Sequence, residues 1–440
     1  MSVILQGFYW DCPALESREH KWWGELRSRL PGLAKAGFTS LWLPPAQKAA
    51  WWRSMGYDPY DYYDLGECNQ KGGVPTWFGT RGELEELIES AHALGLQVIG
   101  DMVFNHNSGA DAQESSLFDG QQRWTRFLPA SGRFARDWSC FHPSRYEQWD
   151  NEVFGEMPDL CHRNPRVYTE LLLYSQWLLE EIGFDGFRYD MVKGYGAWMV
   201  RAIQELRALR DGAPFKPFGV GECWDSNRVI KEWLDEVNAW SDNPVRAFDF
   251  PLRYRLRDLC DHYGFNLREL AQPGVLVWDR PREAVTFVEN HDVARSDPVR
   301  NDKLLAYAFI LTHDGLPCVF WQDYFNFKLA QEGTPCGIAA LVRVHEKHAG
   351  GVTRVLYVDD NLYVMQREGD GDRRGLLLVL NNRGERNGAS AHTRWAGARM
   401  VPVAWRSRDP GPEPQEVRTN AEGFGEFWAP PRGYTVYVPQ

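Results

Sequence analysis

The 440-residue chain contains no apolar run long enough to cross a bilayer. It opens on MSVILQGFYWD, with neither a basic leader nor a cleavage site, and these residues read directly as a strand. An intracellular location is expected if the chain is complete, and an extracellular one if a leader was trimmed. Basic charge is in deficit, with 49 Lys and Arg against 60 Asp and Glu and a net charge of −11. Nucleic acid and anionic membrane, which call for a basic face, are therefore not expected partners. Internal repeats and low-complexity linkers are absent. The eight cysteines follow no small-scaffold spacing, and several lie in apolar strands such as VGECW and LPCVFW. Buried free thiols are expected, which leans toward a reducing compartment. What the chain has in abundance is aromatic surface, including 20 Trp. Such side chains fill cores, and they also stack on the apolar faces of sugars.

Apolar segments alternate between strand and helix patterns. VILQGFYW, SLWLP, QVIGDMV, GFRYDM, FGVGECW, RAFDFPL, AVTFVEN and LPCVFW read as strands. Helical stretches separate them: WWGELRSRLPGLAKAG, GELEELIESAHALG, RVYTELLLYSQWLLEEIG, AWMVRAIQELRAL, VIKEWLDEV, a region after RAFDFPL, KLLAYAFILTH and GIAALVRVHEKH. Eight alternations predict a (β/α)8 barrel. Residues 106–162 interrupt it after the third strand, polar and aromatic without helical period, and are expected to be a small inserted domain. After about residue 350 short alternating runs (VLYVDD, LYVMQRE, GLLLVLNN, MVPVAW, YTVYVPQ) predict an antiparallel C-terminal β-sandwich domain. The expected division is 1–105 and 163–349 for the barrel, 106–162 for the insertion and 350–440 for the β domain.

Barrels of this kind place chemistry at the C-terminal strand ends. Strand three ends in DMVFNH (Asp101, Asn105, His106), strand four in FRYD (Arg188, Asp190), strand five in GECWD (Glu222) and strand seven in ENHD (Asn290, His291, Asp292). Three strand ends thus deliver Asp190, Glu222 and Asp292. A retaining glycosidase needs one protonated carboxyl for the leaving group and one ionised carboxylate about 5–5.5 Å away as nucleophile. Residues two apart on a strand face the same side, so Arg188 can keep Asp190 ionised. Desolvation and neighbouring acids would raise the pKa of Glu222 and suit it to acid work. Each motif alone has an ordinary structural reading, an ion pair or a solvated strand end. Their joint occurrence in barrel order points to glycoside chemistry.

These residues resemble the α-amylase family, glycoside hydrolase family 13, over essentially the whole chain. DMVFNH, GFRYDMVKG, GVGECW and FVENHD are similar to its four short conserved regions, and MPDL to the extra one in its inserted domain. GYDPYDYYDLGE resembles the loop after strand two in bacterial, archaeal and plant members. The resemblance implies Asp190 as nucleophile, Glu222 as acid/base and Asp292 as transition-state stabiliser. It implies Arg188, His106 and His291 around the sugar at the cleavage point, Tyr57 stacked on it, and Lys193 on the leaving-group side. Trp51 and Trp52 are candidate sugar platforms or loop-packing aromatics. The implied reaction is retaining endo-hydrolysis of α-1,4 bonds in starch, glycogen or maltodextrins by a monomer. The alternatives are a maltooligosaccharide-forming enzyme or a transglycosylase of the same family. A non-catalytic carbohydrate-binding member would be expected to lack one of the three acids.

The resemblance also implies calcium, held by Asn105, Asp150, Asp159 and the carbonyls of Glu152 and Gly194. A second candidate set, His142, Glu147 and Cys161, resembles a zinc site of some archaeal relatives, with Glu147 where those carry a histidine.

Overall fold

The computed structural model describes residues 2–13, 21–408 and 412–440. Eight parallel strands close into a barrel: β1 (Ile4–Gln6), β2 (Ser40–Trp42), β3 (Gln97–Met102), β4 (Gly186–Tyr189), β5 (Phe218–Gly221), β6 (Arg246–Phe248), β7 (Ala284–Phe287) and β8 (Leu316–Phe320). Their hydrogen-bonded order is β1-β8-β7-β6-β5-β4-β3-β2, closing on itself. All eight expected strands form. They are short, and their inward and outward residues are both buried, as strands covered by helices on one face and filled on the other must be. No described helix is long and apolar enough to cross a membrane.

Chain contacts divide the molecule into two compact units. One comprises Met1–Tyr9, Lys35–Thr39 and Asp249–Gln440, the other Trp10–Ala34 and Ser40–Phe248. In the second unit, helix α1 (Trp22–Ala36) tolerates Pro31, and helix α2 (Arg81–Ala93) starts on a capping box between Thr80 and Glu83. That box satisfies two orphan amides at once. Leu84, Leu87, Ile88 and Ala91 form the buried stripe of α2, as their spacing predicts. Within residues 106–162 the regular structure is a hairpin, Ala112–Ser115 with Gln122–Arg126, and one short 3-10 turn at Trp138–Cys140.

Two local expectations fail. The helix expected to run through Leu209 ends at Gln204, and Ala208–Arg210 pairs with Ala213–Phe215 as a hairpin. The reason is Asp211-Gly212, whose φ values of 51° and 76° make the two-residue turn that Asp-Gly favours. In the other unit, the C-terminal region has more strands than the apolar runs suggest. A six-stranded antiparallel sheet is accompanied by a ribbon of Asn387–His392 with Phe424–Ala429. NGASAH carries no branched apolar residue, so nothing in its pattern announces a strand. Sheet and ribbon share one core of Leu362, Val364, Leu377, Met400, Phe427 and Tyr437. Among the described residues every cysteine is free, and six of the eight are buried.

Candidate active site

Main-chain register sets out the first cluster. Asp101 on β3 pairs with Arg188 on β4, which pairs in turn with Val220 on β5. The ladder continues past the strand ends: Asp190 donates its amide to the Met102 carbonyl at 3.0 Å, and Glu222 to the Tyr189 carbonyl at 2.9 Å. Asp190 and Glu222 therefore stand one step beyond adjacent parallel strands, at the end where barrels carry chemistry.

The Arg188 guanidinium lies among these acids with its side chain 1% exposed. Nη1 donates to Asp190 Oδ1 at 2.6 Å and to Asp101 Oδ1 at 2.8 Å, and Nη2 lies 2.8 Å from Glu222 Oε2. Burial works against its charge, but Asp101, Glu222 and Asp190 hold it firmly protonated. The Arg188–Asp190 pairing is as the sequence predicts. The sequence reading gave Glu222 only desolvation and acidic neighbours, whereas Glu222 Oε2 also receives Arg188 and the Met191 amide at 3.0 Å. Asp101, whose position at a strand end was visible but whose role was not, is the counter-charge at the base of the cluster. Its Oδ2 accepts from the Tyr57 hydroxyl (2.8 Å) and Trp42 Nε1 (3.0 Å).

Tyr57 stacks on Trp10 with ring centroids 5.9 Å apart. His106 is buried, and its Nε2 is bonded to the Tyr57 carbonyl at 2.9 Å. Because a carbonyl only accepts, Nε2 carries a proton, and Nδ1 has no hydrogen-bond partner among the described residues. Phe154, half-exposed, stacks on that imidazole at 4.7 Å; nothing in the spacing of the inserted segment signalled it. Lys193 bonds Asp225 at 3.1 Å and lies 3.4 Å from Glu152. It helps line a cleft of about 630 Å³ with Trp198 and Trp233. Tyr195 and Trp233 are among its lining residues, and the Tyr195 hydroxyl and Trp233 Nε1 are buried with no hydrogen-bond partner among the described residues. Trp51 is 51% exposed, while Trp52 packs edge-on against Trp77 and covers Gly72, so the two candidate platforms differ.

In the unit containing Asp249–Gln440, Asp292 follows β7 and His291 is buried beside it. Gln6 Nε2, at the end of β1, lies 3.0 Å from His291 Nδ1, and His291 Nε2 lies 3.0 Å from Asp292 Oδ2. The amide donates to Nδ1, which puts the imidazole proton on Nε2, toward Asp292. Gln6 is a further residue that the sequence reading did not single out.

The calcium set was tested against the geometry. Both side-chain atoms of the Asn105 amide are buried without a hydrogen-bond partner. A Cβ built on Gly194 would lie 1.9 Å from Asn105 Oδ1 and 3.0 Å from the Glu152 carbonyl, so these groups converge on a space glycine leaves open. Asp150 stands close by chain position, its carboxylate 3.6 Å from His162 Nδ1. A buried side-chain oxygen without a partner beside a backbone carbonyl is the kind of donor pair a hard cation takes. Asp159 is engaged elsewhere, its Oδ2 2.8 Å from His142 Nδ1.

One ligand atom each from His142, Glu147 and Cys161 lie within 4.8 Å of one another. Burial opposes protonation of His142, but the bonds from Asp159 and the Cys161 thiol outweigh it and push the imidazole up to about 10.

Paired carboxylates braced by a buried arginine at the open end of a parallel barrel define a glycoside hydrolase. The family description "Alpha amylase, catalytic domain" matches residues 19–332. The chain is 29% identical to the α-amylase of Bacillus licheniformis, over 99% of its own length and 93% of the relative's. It is 30% identical to the glucan 1,4-α-maltohexaosidase of Bacillus sp. (strain 707), over 97% and 90% of the two chains. Among solved structures, an α-amylase from Geobacillus thermoleovorans complexed with acarbose matches the fold with a TM-score of 0.70 at 19% identity, covering 100% of this chain and 98% of that one. This chain belongs to the α-amylase family.

Proposed function

We propose that the protein cleaves internal α-1,4-glucosidic bonds of starch, glycogen or maltodextrins with retention of configuration. The observation that carries this reading is the single guanidinium bonded to both Asp190 and Glu222. A carboxylate that attacks an anomeric carbon must be held in place beside the second acid, and Arg188, bonded to both, does that. Asp190 attacks the anomeric carbon while Glu222 gives its proton to the departing glycosidic oxygen, leaving a glycosyl ester on Asp190. Glu222, now a carboxylate, takes a proton from water, whose oxygen displaces Asp190 and restores the starting state. Asp292 supplies negative charge to the oxocarbenium-like transition state, with its position fixed by His291 and Gln6.

The sugar at the cleavage point rests against Tyr57 and hydrogen-bonds His106 Nδ1 through a hydroxyl; His291 is also assigned to that sugar. The leaving-group side runs past Lys193 along the cleft. Exposed Trp51 serves as a sugar platform, and Trp52 packs the loop. Asn105, Asp150, Asp159, through the carboxylate oxygen not bonded to His142, and the carbonyls of Glu152 and Gly194 would hold calcium and so tie residues 106–162 to the barrel. We treat those residues as an inserted domain and 350–440 as a separate β domain working as one monomer. His142, Glu147 and Cys161 suit zinc by ligand type.

Soluble starch incubated with the protein and with Asp190→Asn, followed by chromatography of products, tests the assignment. Mixed short maltooligosaccharides from the wild type alone are expected; near-normal turnover by the variant would sink the nucleophile. The likeness to a maltohexaosidase supports a second reading, a product of one length, which the same chromatogram separates from mixed release.

A further inference from the structure

Outside the catalytic cluster, an unbalanced group of charges gathers on Asp302. This carboxylate precedes the helix Lys303–Ile310, and its side chain is only 2% exposed. Arg408 Nη1 donates to Oδ2 at 2.7 Å and Arg432 Nη2 to the same oxygen at 2.8 Å. Arg406 Nη1 stands 3.7 Å from Oδ1, beyond hydrogen-bond reach. Among the described residues three guanidiniums thus share one carboxylate, an excess of two positive charges. Two of their N–H groups, Arg406 Nη1 and Arg432 Nε, are buried and find no acceptor among those residues.

The backbone is built to bring these arginines together. Arg406 ends a strand and Arg408 follows two residues later, and both side chains reach toward Asp302. The Arg408 amide donates to the Pro431 carbonyl at 3.2 Å, as does the Ser407 hydroxyl at 3.3 Å, which places the RSR stretch against the turn carrying Arg432. The approach is so close that a Cβ on Gly433 would lie 1.8 Å from the Arg406 carbonyl. Asp302 (φ 38°) and Arg432 (φ 41°) both hold left-handed backbone without being glycine. Strain of this kind persists where the surroundings over-determine it, and it concentrates at ligand sites. Arg432 also lies 5.2 Å over the ring of Tyr263, which is 83% exposed.

A plain ion pair needs one guanidinium per carboxylate. A second and a third, left with unpaired donors, cost free energy unless another anion shares them. We propose that the Arg406–Arg408–Arg432 cluster binds a dianionic oxyanion of the phosphate or sulfate type, free or as a sugar phosphate. Guanidinium forks match tetrahedral oxyanions in shape as well as in charge. Asp302 spaces two of the arginines, and the anion takes the donors that Asp302 leaves over.

The test uses the whole protein and reads its thermal midpoint in sulfate, in glucose 6-phosphate and in chloride at matched ionic strength and fixed calcium. Sulfate is the first probe because phosphate competes for calcium. A saturable rise of about 1–2 °C over chloride is expected at ten times the dissociation constant. That rise disappears in Arg406→Gln, or in the more exposed Arg408→Gln should the first variant fold poorly. Asp302→Asn separates the proposal from a purely structural role: in chloride its midpoint falls, and in sulfate it recovers, because the anion replaces the lost carboxylate. A response to glucose 6-phosphate alone supports the site as one for phosphate esters. No dianion response beyond chloride in the wild type, with no recovery of Asp302→Asn, overturns the proposal.

Discussion

Arg188 and Asp101 meet at 2.8 Å across adjacent barrel strands, in register, with side chains 1% and 0% exposed. The other two carboxylates on Arg188 change charge during the proposed reaction, whereas Asp101 does not. It is a fixed reference charge. With Asp101 neutralised, the guanidinium would act undiluted on Asp190 and Glu222, disfavouring the protonated acid. Asp101→Asn is therefore expected to lower kcat by about 10²-fold with a small change in KM, and to move the alkaline limb of the pH–rate profile to lower pH. An unchanged pH profile would reduce Asp101 to a packing role.

The open space at Gly194 makes calcium testable without touching a carboxylate. Gly194→Ala would push a methyl into contact with Asn105 Oδ1. The wild type is expected to lose several degrees of thermal midpoint on chelation and to regain them with calcium. In Gly194→Ala that response should be largely absent, its midpoint resembling that of the chelated wild type.

Lys48 occupies a cage like those that hold metal ions. Its ammonium, 2% exposed, lies 2.6–3.3 Å from the carbonyls of Cys68, Gly73, Val74 and Pro75 and 3.4 Å from Asp64. Lys48→Met removes the counter-charge of a buried carboxylate and the donor of four carbonyls, a loss of about 3–5 kcal/mol. Urea unfolding measures it, and limited proteolysis should find new cleavage between residues 64 and 76.

Two buried histidines set an acid limit on stability. His313 is stacked on Phe309 at 3.6 Å and bonded to the Tyr363 hydroxyl at 2.9 Å, while His345 is bonded to the Leu311 carbonyl at 3.1 Å. Burial pushes them down to about 3 and about 4. The unfolded chain takes up these protons near the ordinary value of about 6.5, and the folded chain does not. Stability is then complete above pH 6.5 and declines as pH falls toward 4, by up to about 1.4 kcal/mol per pH unit for each histidine. Urea melts from pH 7 to 4 are expected to show that slope, and His345→Gln to flatten it. A level profile in the wild type would contradict the assignment.

The barrel was legible because eight buried strands and their helices carry their periods in the sequence, and strand ends are where chemistry must be sought. Arg188 and Asp190 could be paired from a two-residue spacing alone. Asp101 could not be given a role, since its partner lies 87 positions away and only register brings them together. Gln6 and Phe154 were missed for the same reason, being contacts of topology and not of pattern. The Asp211-Gly212 turn, by contrast, was a local signal present in the sequence and outweighed by the apolar run before it. The sets drawn separately for calcium and zinc proved to be linked, because Asp159 of one bonds His142 of the other.

Asp190 and Glu222 hang from amide-to-carbonyl bonds that extend the β3–β4 and β4–β5 ladders by one rung. Backbone rungs survive any exchange of side chains, so the relative height of the two acids is a property of the sheet and not of the loops beyond it. Those loops can lengthen, shrink or change composition while the spacing of the two carboxylates proposed as nucleophile and acid stays constant. The barrel acts here as a ruler, and heat should erase catalysis only when the rungs themselves part.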